Sequence, residues 1–143
     1  MSHIELESGR VDRQQEDGRL AALHSTEILD TEPEAPYDAV TRLAAEYFQA
    51  DTALLGFADE SRVWIKSHWG EAVRELPRSS SIFDMVLARN GPVIVPDVGK
   101  HPQFAGTRMT LRRLDVLSFA SVPVRWIIVL LVCLKLKHAL HPR

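Results

Sequence analysis

The chain has 143 residues, of which 45% are hydrophobic and 25% are charged, and its formal net charge is −2. This length allows about one domain with a single core, and the composition excludes disordered, collagen-like and disulfide-built chains. A charge this close to zero gives no overall field that attracts polyanions, so no nucleic-acid partner is expected. Cys133 is the only cysteine, which excludes an internal disulfide and a two-thiol redox cycle within one chain.

The two ends of the sequence bear on export and membrane insertion. Residues 1–18 are strongly charged and lack the apolar core of a secretory signal, so they are predicted to be a partly ordered lead-in to a single domain over residues 19–143. Residues 126–134 form the longest apolar run, but a helix needs about 20 apolar residues to cross a bilayer. We therefore expect a cytoplasmic protein without a membrane span.

Two helices are predicted in the first third of the chain. Residues 20–29 carry a narrow apolar stripe that needs a partner surface. In "TEPE", Thr31 and Glu34 have the spacing of a capping box and Pro33 suits a first turn, which predicts a helix from there to about residue 50. Apolar residues three and four apart are predicted to pack this helix on a sheet: Tyr37, Val40, Leu43, Ala44, Tyr47 and Phe48.

The middle of the chain reads mainly as strands. "TALLGFA" and "VWIKSH" are rich in β-forming residues and are separated by the polar turn "DESR", which predicts an antiparallel hairpin. A short helix is predicted between a cap at Ser81 with Asp84 and a stop at residues 90–92. "VIV" is predicted as a strand, "PDVGKHPQFAG" as a loop and "VLSFASVPV" as another strand.

No motif predicts catalysis or a resident metal. Residues 79–81 could join Asp97 and His101 in a hydrolase, but helix capping explains the same serines and is favoured. Cys133, His138 and His141 lack a fourth ligand, so no metal site is predicted. The basic "RMTLRR" has no interleaved aromatic residues and favours a solvated face or an anion contact. Asp97 either lines one wall of a pocket or caps its own turn, and the sequence leaves both open.

The order of these pieces resembles a known family. The segments "RLAALHSTEILDTEPEAPYDAVTRLAAEYFQADTALLGFADESRVWIKSHWG", "RSSSIFDMVLARNGPVIVPDVGKHPQFAG" and "FASVPV", spread over residues 19–124, resemble a GAF domain of the bacterial type found ahead of histidine kinase or diguanylate cyclase modules. The resemblance implies an α+β fold, with an antiparallel sheet of five to six strands and helices on both faces. It also implies a small-molecule pocket and a sensor role in signal transduction.

The resemblance also implies site residues and exclusions. Close relatives often carry Cys-x-His where this chain has Phe83 and Met85, so no covalent tetrapyrrole is expected, and the cofactor is otherwise unknown. The residue pattern of cyclic-nucleotide-binding GAF domains is absent, and GAF-like methionine sulfoxide reductases need paired cysteines. The implied pocket wall consists of Trp64, Ser79, Ser80, Ser81, Ile82, Phe83, Asp97, Phe104 and Phe119.

The expected function is a non-enzymatic sensor that binds an unidentified small molecule and acts through a homodimer. Leu20, Leu23 and Ile28 are predicted to form the dimer helix, and the signal would pass to a separate output protein. The alternative is a dimerisation or partner-docking module whose pocket is filled by its own side chains.

Residues 125–143 depart from the family pattern. In the family, the strand that matches "FASVPV" is followed by a glycine turn and a last strand, which "LVCLKL" resembles here. The glycine is missing, and Arg125 and Trp126 are poor residues for a tight hairpin. Residues 127–136 are predicted to be a buried strand. Three arrangements remain open: a bend without glycine, exchange into a neighbouring chain, or a terminal helix.

Overall fold

The computed structural model describes residues 13–78, 81–89, 91–104, 110–111, 114–124 and 127–134. The α-helices are α1 (Arg13–Thr26), α2 (Ala35–Phe48) and α3 (Ser81–Arg89), and a short 3-10 helix covers Val98–Lys100. The strands are β1 (Thr52–Ala58), β2 (Arg62–Trp69), β3 (Glu75–Pro77), β4 (Val93–Val95), β5 (Thr110–Leu111), β6 (Leu114–Val124) and β7 (Ile127–Leu134).

The strands form one antiparallel sheet in the order β3-β2-β1-β7-β6-β4, with β5 paired to β6. The predicted hairpin is β1 and β2, and its turn is closed by the Asp59 amide, which donates to the Arg62 carbonyl at 2.8 Å. Helices lie on both faces of this sheet, so the predicted α+β fold is confirmed.

The sheet has two differently covered faces, because side chains alternate along each strand. The inner face carries the larger apolar cluster, which includes Leu54 of β1, Val86 of α3 and Phe119 of β6. The outer face carries Leu55 and Phe57 of β1 in a second cluster with residues from the α1 side. All seven residues of β1 are buried, because both faces of this strand are covered.

Helix α2 begins differently from the prediction. Its N-cap is Glu34, which makes no side-chain cap hydrogen bond, and its early proline is Pro36 rather than Pro33. The Thr31 hydroxyl donates to the Ile28 carbonyl at 2.6 Å and accepts a hydrogen bond from Lys66. The predicted capping box was therefore wrong, because Thr31 lies outside the helix and its hydroxyl accepts a hydrogen bond from Lys66 on β2.

The side of α2 that faces the sheet also differs from the prediction. Thr41 and Ala45 are the buried residues of the helix. Their small size lets α2 lie close to the sheet, and the Thr41 hydroxyl is 2.8 Å from the Ser67 hydroxyl on β2. The predicted packing was wrong for four apolar residues, which are exposed: Val40, Leu43, Tyr47 and Phe48.

Helix α1 begins at Arg13 and includes part of the predicted lead-in. Leu23 is completely buried against Leu55, Phe57 and Trp64 of its own chain, and Ile28 packs against the same cluster. The predicted dimer helix was therefore wrong for Leu23 and Ile28, because these side chains complete the outer cluster. Leu20 is half-buried.

The apolar run near the end of the chain forms β7, in the middle of the sheet between β1 and β6. The strand prediction is confirmed for Ile127–Leu134, while residues 135–136 lie outside the described residues. Val124 and Ile127 are opposite each other in the β6–β7 pair, so only two residues connect these strands within one chain. Of the three open arrangements, the structure has the hairpin without glycine. Among the described residues, no helix is long and apolar enough to span a bilayer.

Candidate functional site

Two predicted pocket residues meet on the inner face. Phe104 follows the 3-10 helix and Phe119 lies on β6, and both are buried in the inner cluster. Their ring centroids are 5.9 Å apart in an edge-to-face arrangement, which is a favourable geometry for aromatic pairs. His101 stands beside Phe104, with ring centroids 5.0 Å apart. Phe104, Phe119 and His101 therefore form one aromatic group at the inner face.

A buried hydroxyl interrupts this apolar face. Ser121 lies two residues after Phe119 and opposite Val93 and Leu130, which both belong to the inner cluster. It is 1% exposed, and its Oγ is the only buried side-chain nitrogen or oxygen in the described part of the chain without a hydrogen-bond partner. An unpartnered buried hydroxyl costs about 1–3 kcal/mol. A polar group brought to this place would remove that cost.

Asp97 acts as a local cap in this structure. Its side chain accepts a hydrogen bond from the Gly99 amide at 3.0 Å, at the start of the 3-10 helix, and the residue is exposed. Of the two interpretations left open, turn capping is the one observed. Its neighbour His101 also makes a local contact, since its Nδ1 accepts from the Gln103 amide at 3.2 Å.

The predicted serine segment is described only in part. Ser79 and Ser80 lie outside the described residues, and Ser81, Ile82 and Phe83 form the first turn of α3, with side chains outside the described set. Further along this helix, Met85 and Val86 are buried in the inner cluster. Helix α3 thus lies on the same face of the sheet as Phe104, Phe119 and Ser121.

Trp64 lies on the opposite face of the sheet from Phe104 and Phe119. It pairs with Phe57 across β1 and β2, and their ring centroids are 6.4 Å apart in the outer cluster. Trp64 therefore does not join Phe104 and Phe119. It borders a separate cleft of about 390 Å³, which is also lined by Asp30, Thr31, Glu32, Pro33, Arg74 and Glu75.

A bulge in the sheet turns Lys66 toward the outer face. The β1–β2 register shifts between Leu55 and Gly56, so Lys66 is an extra residue opposite this step. Its side chain is fully buried, and its ammonium donates to Thr31 Oγ1 at 2.7 Å, to the Glu32 carbonyl at 2.6 Å and to Glu34 Oε2 at 2.6 Å. All three donors are used, so Lys66 fixes the loop before α2 and has none left for a ligand.

Two ion-pair clusters attach α1 and its following loop to the hairpin. Glu16 is bound by Arg19 at 2.7 Å and by Arg78 at 2.6 Å. Burial alone would raise the pKa of Glu16, but the hydrogen bonds from both arginines outweigh it and lower the pKa. Arg62 is held by Asp30 and Glu75, and its hydrogen bonds lower the pKa of Asp30.

Burial alone would also raise the pKa of Asp59. The hydrogen bond from His24 helps to outweigh this effect, so the pKa of Asp59 is lowered. The distance between His24 Nε2 and Asp59 Oδ1 is 2.7 Å. These charged groups all have partners within the chain. They therefore attach α1 and the loop that follows it to the neighbouring strands and turns.

Within the ranges that the structure covers, no three histidine, cysteine, aspartate or glutamate residues are grouped so as to hold a metal ion. The sequence reasoning missed Ser121 and Lys66 as special positions. Strand alternation carries a signal for the first, since Ser121 has the same parity as Phe119. For Lys66, the signal is that it lies two residues after Trp64 in a strand of bulky apolar residues, so both side chains are expected on the same face of the sheet.

The fold and the site define an α+β domain in which one sheet face is buried around aromatic residues and carries, among the described residues, one buried hydroxyl without a partner. The GAF domain family model matches residues 32–141, more than half of the chain, so the chain belongs to the GAF domain family, whose members are regulatory and ligand-binding domains. No curated protein matches the chain.

Solved structures share the fold at low sequence identity. The GAF domain of a phosphoenolpyruvate-protein phosphotransferase from Coxiella burnetii aligns with a TM-score of 0.57 at 16% identity, covering 87% of this chain and 81% of that one. The corresponding domain from Acinetobacter gives 0.54 at 20% identity, with coverages of 86% and 79%. The type II free methionine-R-sulfoxide reductase from Thermoplasma acidophilum gives 0.56 at 15% identity, with coverages of 68% and 72%.

Proposed function

We propose that this GAF domain is a non-enzymatic sensor that binds a small molecule on the inner face of its sheet. It is further proposed to act in the cytoplasm, as a homodimer that passes its signal to a separate output protein. The observation that carries the ligand proposal is the unpartnered, 1% exposed Ser121 hydroxyl beside Phe119. Small-molecule sites combine mainly apolar walls with a few polar groups that fix orientation.

The surroundings of Ser121 define the chemistry of the ligand. The neighbouring side chains are apolar, including Val93, Phe119 and Leu130. A hydroxyl can donate one hydrogen bond and accept others. The ligand is therefore a compact, largely apolar molecule with one hydrogen-bonding group, such as a carbonyl or a hydroxyl, directed at Ser121.

The test combines native mass spectrometry of the purified chain with a thermal-shift screen of small metabolites. We expect a bound species or a hit whose affinity falls about tenfold in Ser121→Ala, since a net hydrogen bond is worth about 1 kcal/mol or slightly more. Ser67→Ala is the matched control, because Ser67 is equally buried on the outer face and already hydrogen-bonded. Ligand binding that Ser121→Ala leaves unchanged would refute the site.

A docking module without a ligand is the second candidate, and one observation favours it. Phe104 and Phe119 are 2% and 3% exposed and pack edge to face, so they already fill part of the inner face. If no bound species and no thermal-shift hit appear while the chain still self-associates, this second function replaces the first.

The non-enzymatic part of the proposal concerns the reductases among the structural neighbours. One neighbour is a free methionine-R-sulfoxide reductase from Neisseria meningitidis solved with its substrate. This chain has a single cysteine, Cys133, which lies within strand β7, so two thiols of one chain cannot form a disulfide during turnover. We expect no turnover of free methionine sulfoxide with a thiol reductant, and measurable turnover would refute the non-enzymatic assignment.

A further inference from the structure

Among the described residues, six of the seven large apolar residues that are exposed lie on α2 and on the part of the outer sheet face formed by β4 and β6. Their exposed fractions are 47% for Val40, 68% for Leu43, 78% for Tyr47 and 63% for Phe48 on the helix, and 70% for Ile94 and 44% for Val122 on the sheet. We name this set of six residues the α2–β4 surface.

The helix part of this surface is a straight ridge. Val40, Leu43 and Tyr47 are spaced by three and four residues, which is the spacing of a seam between packed helices. The Tyr47 and Phe48 rings meet edge to face at 4.9 Å, so the aromatic end of the ridge is already ordered within the chain. The sheet contacts Thr41 and Ala45 instead, so the ridge is exposed and no described residue covers it.

The sheet part of the surface continues from this ridge. Ile94 on β4 is opposite Ala120 on β6, which is opposite Leu131 on β7, so these side chains share the outer face. Together with Phe48 they line an apolar groove of about 210 Å³ beside the end of α2. Helices α1 and α2 cover the outer face over β1 and β2, and the groove marks where that cover stops.

The size and charge of the surface indicate its occupant. At ~150–250 Å² for a fully exposed large apolar residue, the six exposed fractions amount to roughly 700 Å². A single monomer patch is usually about 300–600 Å², whereas a standard interface buries about 800 Å² on each partner. The six residues are uncharged, and the nearest charged pair on α2, Arg42 with Glu46, is neutral as a pair. Two copies of this surface can meet without like-charge repulsion.

We infer that the α2–β4 surface is the isologous interface of a homodimer, in which the ridge of one copy packs on the ridge and groove of a second copy. This inference rests on the homodimer of the proposed function and locates its contact on α2, in place of the buried residues of α1. It does not depend on the ligand. The proposed ligand site at Ser121 is on the other face of the sheet, and ligand binding is measured separately by mass spectrometry and thermal shift.

The test is the mass of the purified chain in solution, measured by light scattering or sedimentation over a concentration series. We expect a dimer, and we expect Leu43→Glu to weaken it by at least about 30-fold, as for an interface hot spot. Arg42→Gln changes the net charge by the same amount at an exposed position of the same helix outside the surface, and it is expected to leave the dimer intact. Ile94→Glu tests the sheet part independently.

The outcomes separate clearly. A wild-type chain that stays monomeric overturns the inference, and so does a dimer that survives both Leu43→Glu and Ile94→Glu. Circular dichroism and urea unfolding of each variant show whether it is folded, and because both positions are largely exposed we expect native-like transitions. Loss of the dimer with an intact ligand response would confirm the interface, while loss of the ligand response in a stable dimer would count only against the proposed function.

Discussion

The two faces of the sheet treat a buried serine in opposite ways. Ser67 on the outer face is 2% exposed, donates to Asp38 Oδ1 at 2.6 Å and shares a hydrogen bond with Thr41 at 2.8 Å. Ser121 on the inner face is 1% exposed and its hydroxyl has no partner among the described residues. The outer face is therefore saturated internally, whereas the inner face keeps one polar group open.

The same contrast extends to charge. On the outer face, the Lys66 ammonium and the Glu16 carboxylate are each held by several groups of the chain. The described residues of the inner cluster are apolar. Over β1 and β2 the polar groups of the outer face hold the helices to the sheet, whereas the unsatisfied hydroxyl of the inner face is the group that would gain from a small ligand.

The largest loss of stability is expected for a substitution of Lys66, which binds the loop before α2 to the outer face. Lys66→Ala removes the three hydrogen bonds that the ammonium donates to Thr31, Glu32 and Glu34 in the loop before α2. We expect the free energy of unfolding in urea to fall by about 3 kcal/mol. Glu34→Gln is the comparison, since its amide oxygen can still accept a hydrogen bond from Lys66, and it should cost less than Lys66→Ala. Equal losses in the two variants would show that Lys66 is not the anchor.

A slightly smaller loss is expected for Leu23→Ala, which tests whether α1 belongs to the fold or to the dimer. Leu23 is fully buried in the outer cluster, so truncation should cost about 2–3 kcal/mol. The oligomeric mass should stay unchanged in the folded variant. If Leu23→Ala instead dissociates the dimer and leaves urea unfolding unchanged, the prediction that α1 forms the dimer contact would be supported.

The fold could be predicted from the sequence where one local pattern was decisive. The β1–β2 hairpin, β6 and β7 followed from β-rich runs and polar turns, and their order was enough to recognise the family. The side of α2 that faces the sheet could not be predicted from such a local pattern. Its apolar stripe is real, but the sheet is contacted by Thr41 and Ala45, because small residues and the bond to Ser67 permit a closer approach.

The candidate site was harder to predict than the fold. Residues 63–67 of β2 are all buried, so the alternation of buried and exposed side chains that assigns residues to faces is absent around Trp64. As a result the sequence could not say that Trp64 and Phe104 lie on opposite faces. Phe104 and Phe119, which the resemblance implied as pocket residues, contact each other, while Asp97 caps its own turn. The importance of Ser121 depends on missing partners, which only the three-dimensional arrangement shows.

The two serines give a pair of opposite, moderate effects. Ser67→Ala should lower the free energy of unfolding by about 1–2 kcal/mol, because it removes the buried hydrogen bonds of the Ser67 hydroxyl to Thr41 and to Asp38. Ser121→Ala should raise it by about 1 kcal/mol in the absence of ligand, because it removes an unsatisfied buried group. Urea unfolding of both variants measures this difference. A loss of stability in Ser121→Ala would mean that its hydroxyl has a partner in the free protein.

The smallest effect concerns acid and the attachment of α1. The folded state lowers the pKa of Glu16 below its ordinary value of 4.5, so its favourable contribution is present above that pH and is lost as the pH falls through the lowered pKa. Glu16→Gln should therefore cost less than about 1 kcal/mol at pH 7 and should flatten the decline of stability below pH 4.5. Glu46→Gln, in an exposed pair on α2, is the control and should keep the wild-type decline. If both variants follow the wild-type curve, the arginine pair around Glu16 does not hold α1 to the hairpin in solution, and the outer face is less saturated than its contacts indicate.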